Sequence, residues 1–486
     1  MATLRNDVVN FAMEVETNPY LMGNYAPIDT EISSENLQVI GEIPKDLNGM
    51  YVRNGPNPRY APKGRYHWFD GDGMLHAVTI RDGKVSYRNR YIHTDGFERE
   101  AHAGGLLWTG IMEPPFNNPR QNVHMPVKDT ANTTIDYHNG KLIANWYLAG
   151  EPYSIDPHTL ETIGKEDFGG SLRSNMSAHC KVDEHNNELL FFDYSPRPPY
   201  MMYGVVGANG QLQHCVPIDL PGPRLPHDMA ITQNYSILLD LPLVSDPAAM
   251  KAGRHKIVFR RDWPSRFGVI PRYGESDEIR WFEGSPCYMY HTINAWEEVR
   301  ADGAIEIVMD ACRVNRPAPP ITAVTRLEKM LGYLRLDARI YRYRFNLQTG
   351  ETKEEELDDV NTEFPSINSS LLGQKSRYAY NVSITSDTTL LFDGLIKYDT
   401  ERGTSEKYSF GKGRYGSEAP FAPRTNAVDE DDGYLLSFIY DERESRSELI
   451  ILDAQHITDE PLARVIIPQR VPYGFHACWV PGQQLG

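Results

Sequence analysis

From about Leu37 onward the chain repeats one phrase: a short run of aromatic or β-branched residues, a tight turn, then another such run. "KLIANWYLAG", "ELLFFDYS", "NYSILLDLPLV", "AIEIVMDACRV", "TTLLFDGLIKYD", "GYLLSFIYDE" and "SELIILDAQ" all have this character. Turns such as DGK, NGK, EHNNE and EDDG separate neighbouring runs, the pattern of strands joined as antiparallel hairpins. Helical patterns are few: Ala248 to Gly253, Ile321 to Leu331, and Asn6 to Glu14 as a third. No Gly/Ser-rich linker interrupts the hairpins, so residues 37–486 are expected to form one large all-β domain. Residues 1–36 are expected to be an N-terminal extension packed on it. A β-propeller suits the pattern, because radial four-stranded blades use short turns and gather inner-strand residues around one axis. A pair of linked β-sandwiches is the alternative.

Four histidines stand in four of these strand-like phrases: His179 in SAHCKVD, His227 in PHDMAIT, His291 in MYHTINAWEE and His476 in YGFHACWV. Each has apolar or aromatic neighbours, where an imidazole is costly to bury without a partner. Their separations of 48, 64 and 185 residues exclude a local loop or a single helix, so a shared site would be assembled by the fold. The first two gaps resemble one blade each and the third several. The late position of His476 suits a last blade closed by strands from both ends of the chain. Converging, the four would offer a metal only neutral ligands, and imidazole suits iron, copper, nickel and zinc alike. The local CxxC or HxxxH spacing of structural zinc sites is absent. Such a site calls for carboxylates on the outer ring nitrogens; Glu363 in NTEFPSIN and Glu418 in GSEAPFAPR are the candidates. His67, His76, His102, His124 and His138 read as ordinary core or surface histidines.

The net charge of −17 argues against nucleic acid or a strongly anionic membrane as partner. Five dispersed cysteines without a CxxC read as reduced thiols of a cytoplasmic protein. Charges interrupt the N-terminal stretch where a signal peptide would be apolar, and no apolar run approaches a membrane span of ~20 residues. Peripheral membrane contact stays open. The Gly- and Asp-rich phrases RNGPNP and FDGDGM read as tight turns, and Asp70 and Asp72 lack the further ligands of a calcium loop.

"MYVRNGPNPRY", "YHWFDGDGM", "SAHCKVD", "PHDMAIT", "YHTINAWEE", "TEFPSIN", "SEAPFAPR" and "DEDDGYLLSFIYD" together resemble the carotenoid cleavage oxygenase family, which includes lignostilbene and related phenylpropanoid-cleaving dioxygenases. The resemblance runs in order from about Leu37 to Pro481. It implies a seven-bladed β-propeller with a loop-and-helix dome over the iron face. It further implies one non-haem Fe(II) per chain, with His179, His227, His291 and His476 as ligands and catalytic residues. Glu363 and Glu418 match two of the three glutamates that such proteins place against the ligands. The third usually lies in a phrase like LWEGGxPY; this chain reads "NWYLAGEPY", with Trp146, Tyr147 and Leu148 near the expected place and Glu151 displaced.

The reaction implied is cleavage of a C=C double bond by dioxygen into two carbonyl products. Phe69, Trp146 and Tyr147 are the expected cavity residues. The apolar stretches Leu106 to Phe116 and Arg197 to Val206 suit a tunnel mouth or ordinary packing. A carotenoid or apocarotenoid is the first expectation for the substrate, and a phenylpropanoid or stilbene giving an aromatic aldehyde the second. An isomerohydrolase using the same site, or a non-catalytic propeller, are the readings from other classes.

Overall fold

A computed structural model describes residues 18–113, 118, 119, 127–148, 150–246, 248, 249, 256–315, 325, 328, 329, 334 and 336–486. Seven antiparallel sheets are the blades of a propeller. Taken from the axis outward, the second blade is Thr134–His138, Lys141–Asn145, Tyr153–Ile155 and Thr162–Lys165. The third is Lys181–Asp183, Glu188–Tyr194, Met201–Val206 and Leu212–Ile218. The fourth is Met229–Ile231, Tyr235–Asp240, Ser265–Pro271 and Arg280–Gly284. The fifth is Tyr288–Val299, Ile305–Val314, Ala338–Asn346 and Thr352–Glu356. The sixth is Thr362–Ser366, Tyr378–Ile384, Phe392–Asp399 and Thr404–Ser409.

The remaining two blades join the ends of the chain. In the first, the inner strand is Ala477–Pro481, paired with Gly49–Pro56 and followed outward by Gly73–Arg81 and Lys84–Tyr91. The seventh is built on Gly433–Asp441, Arg446–Asp453 and Ala463–Ile466, and takes Val39–Gly41 as an outer strand. Residues 18–36 lie against this ring. Ser33–Ser34 pairs with Lys84–Tyr91, and Tyr20 and Tyr25 bond the backbone of Leu390 while packing on Trp68.

Strand sequences follow from their position between neighbours. Glu188–Tyr194 is an almost unbroken apolar run because both its faces are covered. Leu190, Phe192 and Tyr194 enter one core cluster, and Leu189 and Phe191 the cluster on the opposite face. Ile237 and Leu239 are likewise separated from Leu238. The cores thus lie mainly between blades, leaving the axis to polar side chains.

Three expectations need correction or addition. RNGP is not a turn: Arg53 to Pro56 complete the strand Gly49–Pro56. The Asn54 side chain donates to the carbonyls of Ala131 (2.7 Å) and Thr134 (3.0 Å). A Cβ on Gly55 would come within 2.7 Å of the Gly474 Cα, so glycine serves close approach here. Met201–Val206 is a blade strand whose Met201, Tyr203 and Val205 are core, so this part of the stretch is ordinary packing. Asp95–Ala103 is an α-helix the strand pattern did not suggest; Thr94 caps its start and Gly104, at φ +67°, ends it. The stretch Asn6 to Glu14, most of Ala248 to Gly253 and of Ile321 to Leu331, and His124 lie outside the described residues. Among the described residues no helix is long and apolar enough to cross a membrane. All five cysteines are free.

Candidate metal centre

Each of the four histidines stands at or just before the beginning of an inner strand. His179 precedes Lys181–Asp183, His227 precedes Met229–Ile231, and His476 precedes Ala477–Pro481. His291 lies within Tyr288–Val299, where the ladder to Ile305–Val314 shifts register between Met289 and Thr292. A bulge of this kind re-aims a side chain. His179 reaches the axis by another device, a left-handed backbone at φ +68°. That conformation costs a non-glycine residue about 1–2 kcal/mol, and such strain gathers at functional sites.

These placements bring the four rings together. His179 lies 4.6 Å from His227, 4.9 Å from His291 and 4.6 Å from His476 between ring centroids. His291 is 5.4 Å from His227 and 4.7 Å from His476. Ring nitrogens of His179, His291 and His476 lie within 4.8 Å of one another, while His227 completes the cluster from the side. Burial, reinforced by mutual repulsion, holds His179, His227 and His291 well below the ordinary histidine pKa, so these rings are neutral. The Nε2 atoms of His179 and His291 are buried without a hydrogen-bond partner among the described residues. Buried, unsatisfied lone-pair nitrogens converging on one point are what a metal cation would satisfy.

Two carboxylates brace one side of the cluster. Glu363 is fully buried; its Oε2 contacts His291 Nδ1 and accepts the Phe364 amide at 2.6 Å. Burial pushes the Glu363 carboxyl well above its usual range, and its Oε1 has no hydrogen-bond partner among the described residues. Glu418 Oε1 lies 3.2 Å from His476 Nδ1, and its Oε2 accepts the Ala477 amide at 2.6 Å. Between these two, Phe364, at φ +47°, stacks on His476 and tilts against His291.

The other side is aromatic. Tyr147 lies 5.3 Å from His227, Tyr290 5.1 Å from His227, and Phe69 4.7 Å from Tyr147, all ring to ring. Among the described residues the His227 ring makes these ring contacts and no hydrogen bond. Tyr147 is half-buried, and its surroundings push its hydroxyl pKa well up. Trp146 points away, buried with its indole donating to the Phe69 carbonyl at 3.2 Å. The NWYL backbone holds the His179 segment instead. Ala178 N donates to the Trp146 carbonyl and Ser177 Oγ to that of Tyr147, both at 3.1 Å. Glu151 is remote from the rings and forms an ion pair with Lys165 at 2.8 Å.

Sequence reasoning did not single out Tyr290, Phe364 or Asp228. The signal for Asp228 was present, a charge set between His227 and Met229 in an apolar phrase. The remaining described histidines have other roles: His67 accepts the Phe69 amide, His76 meets the Tyr87 hydroxyl, and His102 and His138 bond backbone carbonyls.

A sequence model of the family described as retinal pigment epithelial membrane protein matches residues 25–481. The carotenoid 9,10(9',10')-cleavage dioxygenase 1 of Pisum sativum is 38% identical over 500 aligned residues, spanning 96% of this chain and 90% of the relative. The chain belongs to the carotenoid cleavage oxygenase family. A carotenoid cleavage oxygenase of Mycobacterium tuberculosis is 33% identical and spans 96% of this chain and 98% of the relative. Among solved structures, the lignostilbene dioxygenase of Pseudomonas brassicacearum superposes with a TM-score of 0.85 at 28% identity, covering 96% of this chain and 99% of the other. A Synechocystis apocarotenoid oxygenase variant gives 0.83 at 27% identity, covering 94% and 98%. The chain thereby belongs to a family of alkene-cleaving dioxygenases.

Proposed function

We propose that the chain is a non-haem Fe(II) dioxygenase that cleaves one C=C bond of a carotenoid or apocarotenoid, with His179, His227, His291 and His476 holding one iron. The observation that carries the reading is the pair of buried, unpartnered Nε2 atoms on His179 and His291 within a cluster of neutral imidazoles. When bound, the iron supplies the electron chemistry that lets dioxygen react with an alkene.

The residues around it have three tasks. Glu363 and Glu418 hold the protons on the Nδ1 atoms of His291 and His476, which leaves the Nε2 lone pairs aimed inward. A bound cation would favour the ionised form of Glu363 over the neutral one that burial favours, and the two carboxylates would then offset the charge of a divalent ion. Phe69, Tyr147 and Tyr290 present an aromatic wall of inclined rings beside His227, against which a polyene packs and from which water is displaced. The overall reaction balances without another reductant: the alkene C=C and the O–O bond break, and two C=O bonds form.

A phenylpropanoid or stilbene alkene is the second reading. It is favoured by the Tyr147 hydroxyl, which could bond a phenolic group beside the rings, and by the likeness to the lignostilbene dioxygenase. The test is an anaerobically Fe(II)-loaded sample offered β-apocarotenals, resveratrol, isoeugenol and 4-vinylguaiacol under labelled dioxygen. The expected result is a pair of carbonyl products from one class, carrying the label. Iron content below about one-tenth per chain after loading, or no carbonyl from any substrate, would overturn the proposal.

A further inference from the structure

Among the described residues none places a carboxylate on the His227 ring, yet the residue after it is a fully enclosed carboxylate, Asp228, only 1% exposed. Its two oxygens reach the segments of three blades. Oδ1 accepts the Lys181 ammonium at 2.8 Å and the Met229 amide at 2.7 Å. Oδ2 accepts both the amide (2.7 Å) and the hydroxyl (2.8 Å) of Thr292, and that hydroxyl also lies 2.9 Å from the Met229 carbonyl. Lys181 is two residues beyond His179, Met229 two beyond His227, and Thr292 directly follows His291.

The contacts fall where the strands are irregular. The shift between Met289 and Thr292 turns His291 inward and interrupts the ladder there, and Asp228 receives the Thr292 amide. The left-handed turn at His179 ends just before Lys181, whose ammonium Asp228 also receives. A buried ion pair alone is weak evidence of stabilisation, since desolvation offsets its attraction. Here the pair is embedded in hydrogen bonds to the backbone beside two histidines and follows a third.

We propose that Asp228 is a positioning residue for the metal: it fixes His179, His227 and His291 relative to one another through the chain segments that carry them, without touching a ring. The proposal rests on the metal-binding reading given above. It assigns to Asp228 the bracing of His227 that Glu363 and Glu418 give His291 and His476 through their rings.

The test compares Asp228→Asn, Thr292→Val and Lys181→Met with the unaltered chain. The readouts are Co(II) and Fe(II) affinity by chelator competition, the visible Co(II) ligand-field spectrum, and melting of the metal-free protein. Asp228→Asn is expected to weaken metal binding about 10–100-fold and to shift the Co(II) bands. Thr292→Val, which keeps the side-chain shape, is expected to weaken binding about 3–10-fold. Combined with Asp228→Asn it should add little, because both remove one connection. Unchanged affinity and Co(II) bands in Asp228→Asn would overturn the proposal, as would fully additive losses. If Asp228→Asn does not fold, Thr292→Val and Lys181→Met decide: unaltered metal binding in both overturns it, and weakened binding with unaltered melting supports it. An unaltered chain that binds no metal would instead defeat the metal-binding reading itself.

Discussion

His291 and His476 are held differently from His179 and His227. The first pair have carboxylates on their rings, and each carboxylate also takes a backbone amide, from Phe364 or Ala477. The second pair depend on the shape of the chain: a left-handed residue at His179, a backbone bond to the NWYL segment, and the shared Asp228. One side of the cluster is thus fixed through ring orientation and charge, the other through backbone placement beside an aromatic wall. A site built this way can vary the wall that meets a substrate without disturbing the bonds that orient His291 and His476.

The largest effects should not respect this division. His291→Ala and His227→Ala should each reduce metal affinity by more than about 100-fold, beyond the loss usual for an outer carboxylate. Retention of metal by His227→Ala alone, measured by equilibrium dialysis and metal analysis, would show that only the carboxylate-braced side binds. Next, Glu363→Gln and Glu418→Gln should each lower metal affinity or turnover about 10–100-fold. Equal turnover and metal content in these variants and the unaltered chain would remove the basis of the comparison.

Much of this asymmetry was legible in the chain, and the rest was hidden for physical reasons. The four histidine phrases stand out because imidazole among apolar neighbours is unusual, and the strand–turn repetition made a propeller the natural frame. Glu363 and Glu418 were visible for the same reason, carboxylates in apolar, proline-bound phrases. Asp228 carried the same local signal, but its role was hidden because its partners Lys181 and Thr292 lie 47 residues before it and 64 after it. RNGP reads as a turn by composition, but tertiary contacts at Asn54 and Gly55 make it a strand. The helix Asp95–Ala103 carried its own signals, Thr94 and Gly104, within a chain whose dominant period is that of strands.

Smaller effects sharpen the comparison at Tyr147. Tyr147→Glu would place a carboxylate beside His227 and should raise metal affinity about 3–10-fold, the inverse of losing such a group. Tyr147→Phe should leave metal affinity within about twofold while raising KM for a phenolic alkene more than for a polyene, read from steady-state kinetics. A further small effect concerns pH. Three ordinary imidazoles, with pKa about 6.5, would lose about fiftyfold in metal affinity between pH 7.5 and 6.0 through protonation. Burial keeps His179, His227 and His291 neutral across that interval, so the measured fall should stay below about fivefold. A steep fall would mean that these rings open to solvent before metal binds.

The closure of the ring through Ala477–Pro481 has a consequence in time. His179 leaves the ribosome about 300 residues before His476, a delay of roughly 15–60 s at 5–20 residues per second. For the last 185 of those residues, roughly 9–37 s, the nascent chain has three of the four histidines but lacks both the fourth and the inner strand of the first blade. Sealing of the propeller and completion of the donor set are therefore one late event, and a stalled or shortened chain forfeits both together.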